Sequence, residues 1–306
     1  VITILRNRAL ASLMFGHFTN DMFGGLLTLF LPVAKSRFDL ANSEVGLIAL
    51  SYAAASSLSQ PLFGWFTDRH LRRWVPAVVL LWGGTFASLY GVASSYGMLL
   101  LFAALAGLAS GAYHPIGASS AAAVVTPRTR NRALSLYTVG GTSGFALGPL
   151  VGVALLAAFG PRGTLAMLPV ACLVAIFLFR EMSNVLGRVH EAPASPSPSP
   201  SMITSAVPYN ALARVIGTVM LRSWVFLSLL QFVPVWYADL GYSGALYGPL
   251  VTTVILAGAV GTLIGGTLAD RVGERRILLA SLTLSVPPLL LFIAFPGPWA
   301  FLAGAA

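Results

Sequence analysis

The sequence predicts an all-α, polytopic membrane protein. Three observations carry that expectation. Of 306 residues, 57% are hydrophobic and only 9% are charged. Apolar runs repeat almost from end to end, and arginines gather in the short loops between them. A soluble domain carries about 25% charged residues, so most of this chain's outer surface must face something other than water. A bilayer-spanning helix needs about 20 mainly apolar residues, and the repetition excludes a soluble domain with a single anchor.

The apolar segments lie near residues 10–34, 44–66, 75–94, 97–122, 133–157, 163–180, 216–238, 245–268 and 277–295, so about nine transmembrane helices are expected. The first is long and lacks a small-residue cleavage site near its end, which reads as a retained helix and not a removed signal peptide. Several segments are rich in Gly, Ala and Ser, for example Gly107, Ser110 and Gly111. Small residues let helix backbones approach where lipid supplies no hydrophobic drive for association, so a packed bundle is expected.

The net charge of +9 follows the loops. Of 18 basic residues, all but Lys35, Arg37 and Arg162 fall at the N-terminus or in the loops after even-numbered helices. This positive-inside bias places the N-terminus in the cytoplasm, and with nine spans the C-terminus outside. It also argues against nucleic acid as the partner of the basic charge. Cys172 is the single cysteine, so neither a disulfide framework nor a cysteine metal site is available. Nothing points to a cofactor, a metal, an enzymatic activity or an obligate protein partner. Two histidines and one aspartate lack a clear third ligand and the H-E-x-x-H spacing.

The longest hydrophilic stretch contains Ala192-Pro-Ala-Ser-Pro-Ser-Pro-Ser-Pro-Ser201. Such alternation forms an extended, semi-rigid spacer. The expected division is a six-helix bundle at 1–182, a cytoplasmic Pro/Ser-rich linker at 183–213, and a partial, three-helix bundle at 214–306.

An internal repeat accompanies that division. After helix 2 the chain reads Gly64-Trp-Phe-Thr-Asp68-Arg69, and after helix 8 it reads Gly266-Thr-Leu-Ala-Asp270-Arg271. Both follow G-x-x-x-D-R at a helix end, about 200 residues apart, and parallel repeats of this kind mark transporters. A carboxylate in a helix-end turn can accept backbone N–H groups and pair with arginine. Helix 5 carries Gly140-Gly141-x-x-Gly144-x-x-x-Gly148-Pro149-x-x-Gly152, a smooth face for close packing with a proline bend.

Polar groups sit at mid-depth. Helix 1 contains Gly16-His17-Phe18-Thr19-Asn20-Asp21, and helix 4 contains Gly111-Ala112-Tyr113-His114-Pro115. Ionisable groups inside a bilayer are costly and tend to face a bundle interior. His17 and Asp21, four residues apart, share a helix face, and imidazole titrates near neutrality, so the pair can carry a proton. Asn20, His114, Gln60 and Gln231 are expected to join the same pathway, whereas Tyr52, Tyr113 and Tyr137 read as packing residues.

The paired G-x-x-x-D-R segments resemble motif A of the major facilitator superfamily. That resemblance implies a gating role for Gly64, Asp68, Arg69, Gly266, Asp270 and Arg271. The pattern at Gly144, Gly148, Pro149 and Gly152 resembles the antiporter motif of efflux members. G-H-x-x-N-D in helix 1, Q-P-L-x-G-x-x-T-D in helix 2, H-P in helix 4 and the helix-5 run from Val139 to Pro149 resemble the fosmidomycin resistance protein family. The resemblance implies a proton-coupled exporter of a drug or small metabolite in a cell inner (plasma) membrane, with the bilayer, a small-molecule substrate and protons as partners. The alternatives are a facilitator or importer of a small organic anion on the same fold, and a truncated, non-transporting remnant. Two departures stand out. Drug exporters carry an arginine in helix 4, where this chain has Ala103, and twelve helices are expected of the fold, so the chain reads as a fragment or a truncated product.

Overall fold

The first helix, α1 (Arg8–Phe38), begins where Asn7 can cap it. The Asn7 side-chain oxygen accepts the Leu10 N–H at 3.1 Å, and its amide donates to the Val124 carbonyl at 2.8 Å, tying the start of α1 to the C-terminal end of the helix that finishes at Ala123. The helix stops at Asp39, in the left-handed conformation (φ 51°). In α2 (Asn42–His70) the Glu44 carboxylate reaches back to the Ala41 N–H at 2.8 Å. Pro76 sits in the first turn of α3 (Val75–Ser88), where its missing N–H costs nothing. Ser95 caps α4 (Tyr96–Ala123) by accepting the Met98 N–H at 3.2 Å. A 3-10 stretch over Gly160–Ala166 joins α5 (Arg130–Phe159) to α6 (Met167–Val189). Then come α7 (Tyr209–Asp239), α8 (Gly244–Val272), α9 (Glu274–Leu284), α10 (Val286–Ala294) and α11 (Ala300–Ala305).

This is a computed structural model describing residues 7–70, 72, 74–189 and 209–305, and among them every regular element is a helix. The Pro/Ser run lies outside the described residues. Its flanks, 183–189 and 209–213, continue α6 and begin α7. The ninth apolar run divides into α9 and α10 at Ser285, beside Pro287 and Pro288. Neither proline offers an N–H to the preceding turn.

Six helical stretches are long and apolar enough to cross a membrane by length and composition; one of them, Arg132–Met182, takes in both α5 and α6. The 31-residue α1 and 29-residue α2 are long enough but more polar. Mid-helix polar residues of α1 include His17, Thr19, Asn20 and Asp21, and those of α2 include Ser51, Ser56, Ser57, Ser59 and Gln60. Asp21, Ser56 and Ser57 among them line an interior cavity.

Small residues set the packing. α1 lies along α5 and α2 along α4. A Cβ at Gly144 would overlap the Phe18 carbonyl, and one at Gly107 the Tyr52 carbonyl. Large apolar side chains fill the interior, as with Leu13, Phe30 and Tyr113, and also cover the outer face, where Leu58 is 81% exposed and Leu173 69%. Small residues are placed where helix backbones touch.

The first six helices pack chiefly on one another, and they meet α7 and α8 at one end of the bundle. That far end is where α1 finishes and α2 begins. There Lys35 of α1 forms an ion pair with Asp239 of α7, and the Thr252 hydroxyl of α8 donates to the Ala146 carbonyl of α5 at 2.7 Å. Leu230, Val233, Val235 and Tyr237, in the far half of α7, are buried, whereas Val215, Met220 and Trp224 in its near half are exposed.

Candidate functional site: a histidine–aspartate cluster on a central cavity

Midway along α1, one helical turn separates His17 from Asp21, and α4 brings His114 against both. His17 Nε2 lies 3.0 Å from His114 Nδ1 and 3.3 Å from Asp21 Oδ2. His114 Nε2 lies 3.7 Å from Asp21 Oδ1 and 3.3 Å from the Ser110 hydroxyl, one turn earlier on α4. The Asn20 amide donates to Asp21 Oδ1 at 2.9 Å. His17 and Asn20 are buried, so their polar atoms depend on protein partners.

Helix α5 closes the cluster from behind. The His17 Nδ1–H donates to the Tyr137 carbonyl at 2.8 Å, and the two rings stack with centroids 4.0 Å apart. A carbonyl carries no hydrogen, so Nδ1 must hold one. In the neutral imidazole Nε2 then presents its lone pair to Asp21. Two acceptors facing each other at 3.3 Å repel unless a positive charge stands between them, which makes the pair a natural proton-holding site. Gly141 permits this approach: a Cβ there would lie 2.5 Å from Asp21 Oδ2 and 2.6 Å from His17 Nε2.

Asp21 and His114 line a cavity of about 380 Å³. Tyr52 and Ser56 of α2, Ser110 of α4, Phe145 of α5 and Trp224, Ser228, Gln231 and Phe232 of α7 complete much of its wall. Small-molecule sites have this size and mixture of aromatic and sparse polar groups. Gln231 Oε1 is buried without a hydrogen-bond partner among the described residues. A larger cleft of about 620 Å³ among α7, α8, α9, α10 and α11 is lined mostly by aliphatic and aromatic side chains, with Arg222 its one charged lining residue among those described.

His17, Asn20, Asp21 and His114 thus come together as one cluster, and Gln231 faces it across the cavity. Gln60 is half-buried on α2 and does not line that cavity. The helix-5 glycines run along α1: Gly140 meets Met14, Gly148 meets Met22 and Gly25, and Gly152 meets Leu26 and Leu29, with Gly25 also close to Pro149. At the near end of α2, Gly64 faces Pro115 of α4. Arg69 lies over the Trp65 ring at 4.4 Å and donates to the Trp65 carbonyl at 3.3 Å, within its own helix. Arg271 is exposed in the last turn of α8. The side chains of Asp68 and Asp270, with the surroundings of Gly266, lie outside the described residues.

Sequence reasoning missed Tyr52, Ser110, Gly141, Trp224 and Ser228 as cavity or cluster residues. Ser110 carried a signal, four residues before His114 on one helix face. The Tyr137 carbonyl carried none, because any residue supplies one.

The profile of the Major Facilitator Superfamily matches residues 13–306. The chain belongs to the Major Facilitator Superfamily. It is 26% identical to the Fosmidomycin resistance protein of Escherichia coli (strain K12) over 291 residues, 94% of this chain and 70% of that protein. It is 30% identical to the MFS-type transporter YfnC of Bacillus subtilis (strain 168) over 293 residues, 92% of this chain and 70% of that one. Among solved structures, a bacterial homolog to the human lysosomal transporter Spinster, inward-facing and unoccupied, superposes with a TM-score of 0.78 at 17% identity, covering 98% of this chain and 72% of that one. As a member of the superfamily the chain is a multi-pass membrane transporter, surrounded by a lipid bilayer and handling a small-molecule substrate. The two G-x-x-x-D-R segments lie in the last turns of α2 and α8.

Proposed function

We propose that the protein is a proton-coupled exporter of a drug or small metabolite, working by alternating access between helices α1–α6 and the helices that follow the Pro/Ser linker. The observation that carries this reading is the His17–Asp21–His114 cluster in the wall of the central cavity. A titratable group that reaches both the cavity and a shared-proton partner can couple proton release to substrate movement. Efflux relatives support the substrate class: besides the fosmidomycin resistance protein, Multidrug resistance protein MdtG of Enterobacter lignolyticus (strain SCF1) is 26% identical over 310 residues. The contacts at Lys35–Asp239 and Thr252–Ala146 fit a state closed at the far end and open at the near end. On the arginine bias of the loops the near end is cytoplasmic, in a cell inner membrane. Asp68 and Asp270 bias the gate between the two states.

In this mechanism Asp21 takes a proton from one side and releases it to the other. His17, held by Tyr137, shares that proton, and His114 presents it to the cavity. The substrate occupies the space between Tyr52, Phe145, Trp224 and Gln231. The deciding measurement is drug-coupled proton flux in proteoliposomes under an imposed pH gradient, with fosmidomycin and a panel of small drugs as cargo. Asp21→Asn should abolish pH-driven export while the protein remains inserted; unchanged export removes Asp21 from the mechanism. Substrate accumulating in expressing cells, instead of being depleted, would favour the organic-anion importer.

A further inference from the structure

The hydrogen count of the cluster points beyond protons. His17 gives its Nδ1 hydrogen to the Tyr137 carbonyl at 2.8 Å. That leaves the His17 Nε2 lone pair directed at His114 Nδ1 (3.0 Å) and Asp21 Oδ2 (3.3 Å). Asp21 Oδ1 already accepts from Asn20. A neutral His114 holds a single ring hydrogen. His17 Nε2, His114 Nδ1 and Asp21 Oδ2 therefore converge with at most one hydrogen among them.

We propose that His17, Asp21 and His114 form a binding site for a divalent transition-metal ion of the Zn²⁺ class, with a coordination position left open to the cavity. Ligand atoms of the three residues lie within 4.8 Å of one another. Bonds of about 2.0–2.1 Å in tetrahedral geometry separate ligand atoms by roughly 3.3 Å, and two of the edges here measure 3.0 and 3.3 Å. Two imidazoles and one carboxylate suit Zn²⁺, Fe²⁺ or Co²⁺ better than the all-oxygen preference of Ca²⁺ or Mg²⁺.

Two further features fit a built site. The Tyr137 carbonyl holds the far nitrogen of His17, the outer partner that orients a metal-ligating histidine and fixes its tautomer. Gly141 presents only hydrogen to the cluster, so α5 packs directly against Asp21 and His17 and holds them in place. Asp21 and His114 line the cavity, so an ion has a route in. The inference uses the same side chains as the proposed proton site without resting on it. Metal and protons compete for the same lone pairs.

The experiment is equilibrium dialysis of Zn²⁺ against the full-length protein in lipid nanodiscs. One Zn²⁺ per chain is expected near pH 7.5, with weaker binding in acid because protons compete for the ligand lone pairs. Binding should persist in a His70→Ala/His190→Ala variant, which removes the other two histidines, and should weaken by about 10²-fold or more in Asp21→Asn and in His114→Ala. If those variants misfold, Co²⁺ loaded into the unmodified protein decides the matter. The proposal expects a four-coordinate visible spectrum and an X-ray absorption shell containing two imidazoles. Absence of saturable Zn²⁺ binding, binding that vanishes with His70 and His190, or a six-coordinate aquo-type Co²⁺ spectrum would overturn it. Zn²⁺ binding without pH-driven transport would leave this site standing and remove the proton reading; transport without Zn²⁺ binding would do the reverse.

Discussion

Lys35, at the last turn of α1, forms an ion pair with Asp239, the final residue of α7, and so ties the two groups of helices together at the far end of the bundle. Beside it the Arg37 guanidinium donates to the Gly91 carbonyl at 2.8 Å, holding the end of α1 to the turn after α3. In alternating access this end must open, so the pair stabilises one state and not the other. Both side chains are partly exposed, which limits its strength to about 1 kcal/mol or less. Lys35→Ala should therefore shift the population of the closed far end by up to roughly fivefold. Spin labels on the ends of α1 and α7 would read this as a second, longer distance. Lys35→Asp combined with Asp239→Lys should restore the short one.

The cluster makes a claim about pH. His17→Gln can still donate to the Tyr137 carbonyl but has no ionisable ring. Drug-driven proton flux measured as a function of pH should lose most of its pH dependence in this variant. The unmodified protein should show a clear transition. A variant with the original pH profile would separate His17 from the proton path.

Gly141 offers a substitution aimed at the cluster and not at the fold. An alanine Cβ would press on Asp21 Oδ2 and His17 at about the distance of a covalently bridged pair, 2.5 Å. Gly141→Ala should cut transport by about 10²-fold, since displacing a reacting group by an ångström costs that much. Melting temperature should fall by no more than for other helix-contact glycines. Parallel transport and thermal-shift measurements on purified protein would compare the two effects.

The glycine seam predicts an asymmetry in stability. At Gly144 a Cβ would overlap the Phe18 carbonyl, a backbone atom that cannot swing aside. Gly144→Ala should destabilise by about 1–3 kcal/mol. At Gly217 of α7 a Cβ meets nothing within 4 Å, and alanine is the better helix former by about 1 kcal/mol. Gly217→Ala should leave the melting temperature unchanged or raise it.

Much of the architecture was legible in the chain itself. All nine apolar runs are helical, because a backbone in hydrocarbon must satisfy its own hydrogen bonds and a run of about 20 apolar residues does so as a helix. The division at Ser285 was missed because Pro287 and Pro288 sit inside a run that hydropathy alone reads as continuous. His17 and Asp21 were readable as a pair because four residues along a helix bring side chains to one face. Gln60, equally polar and equally apolar in its surroundings, was indistinguishable by that logic, yet it does not line the cavity.

What the chain determined by itself was therefore local and periodic: helices, their order, the superfamily motifs, and the depth at which ionisable groups lie. Their meeting was decided in three dimensions. His114 lies 97 residues from His17 along the chain, and the Tyr137 carbonyl 120, and no periodicity connects positions on different helices. Only the rotation and close approach of α1, α4 and α5, set by which faces carry glycine, brought two imidazoles and a carboxylate into one cluster.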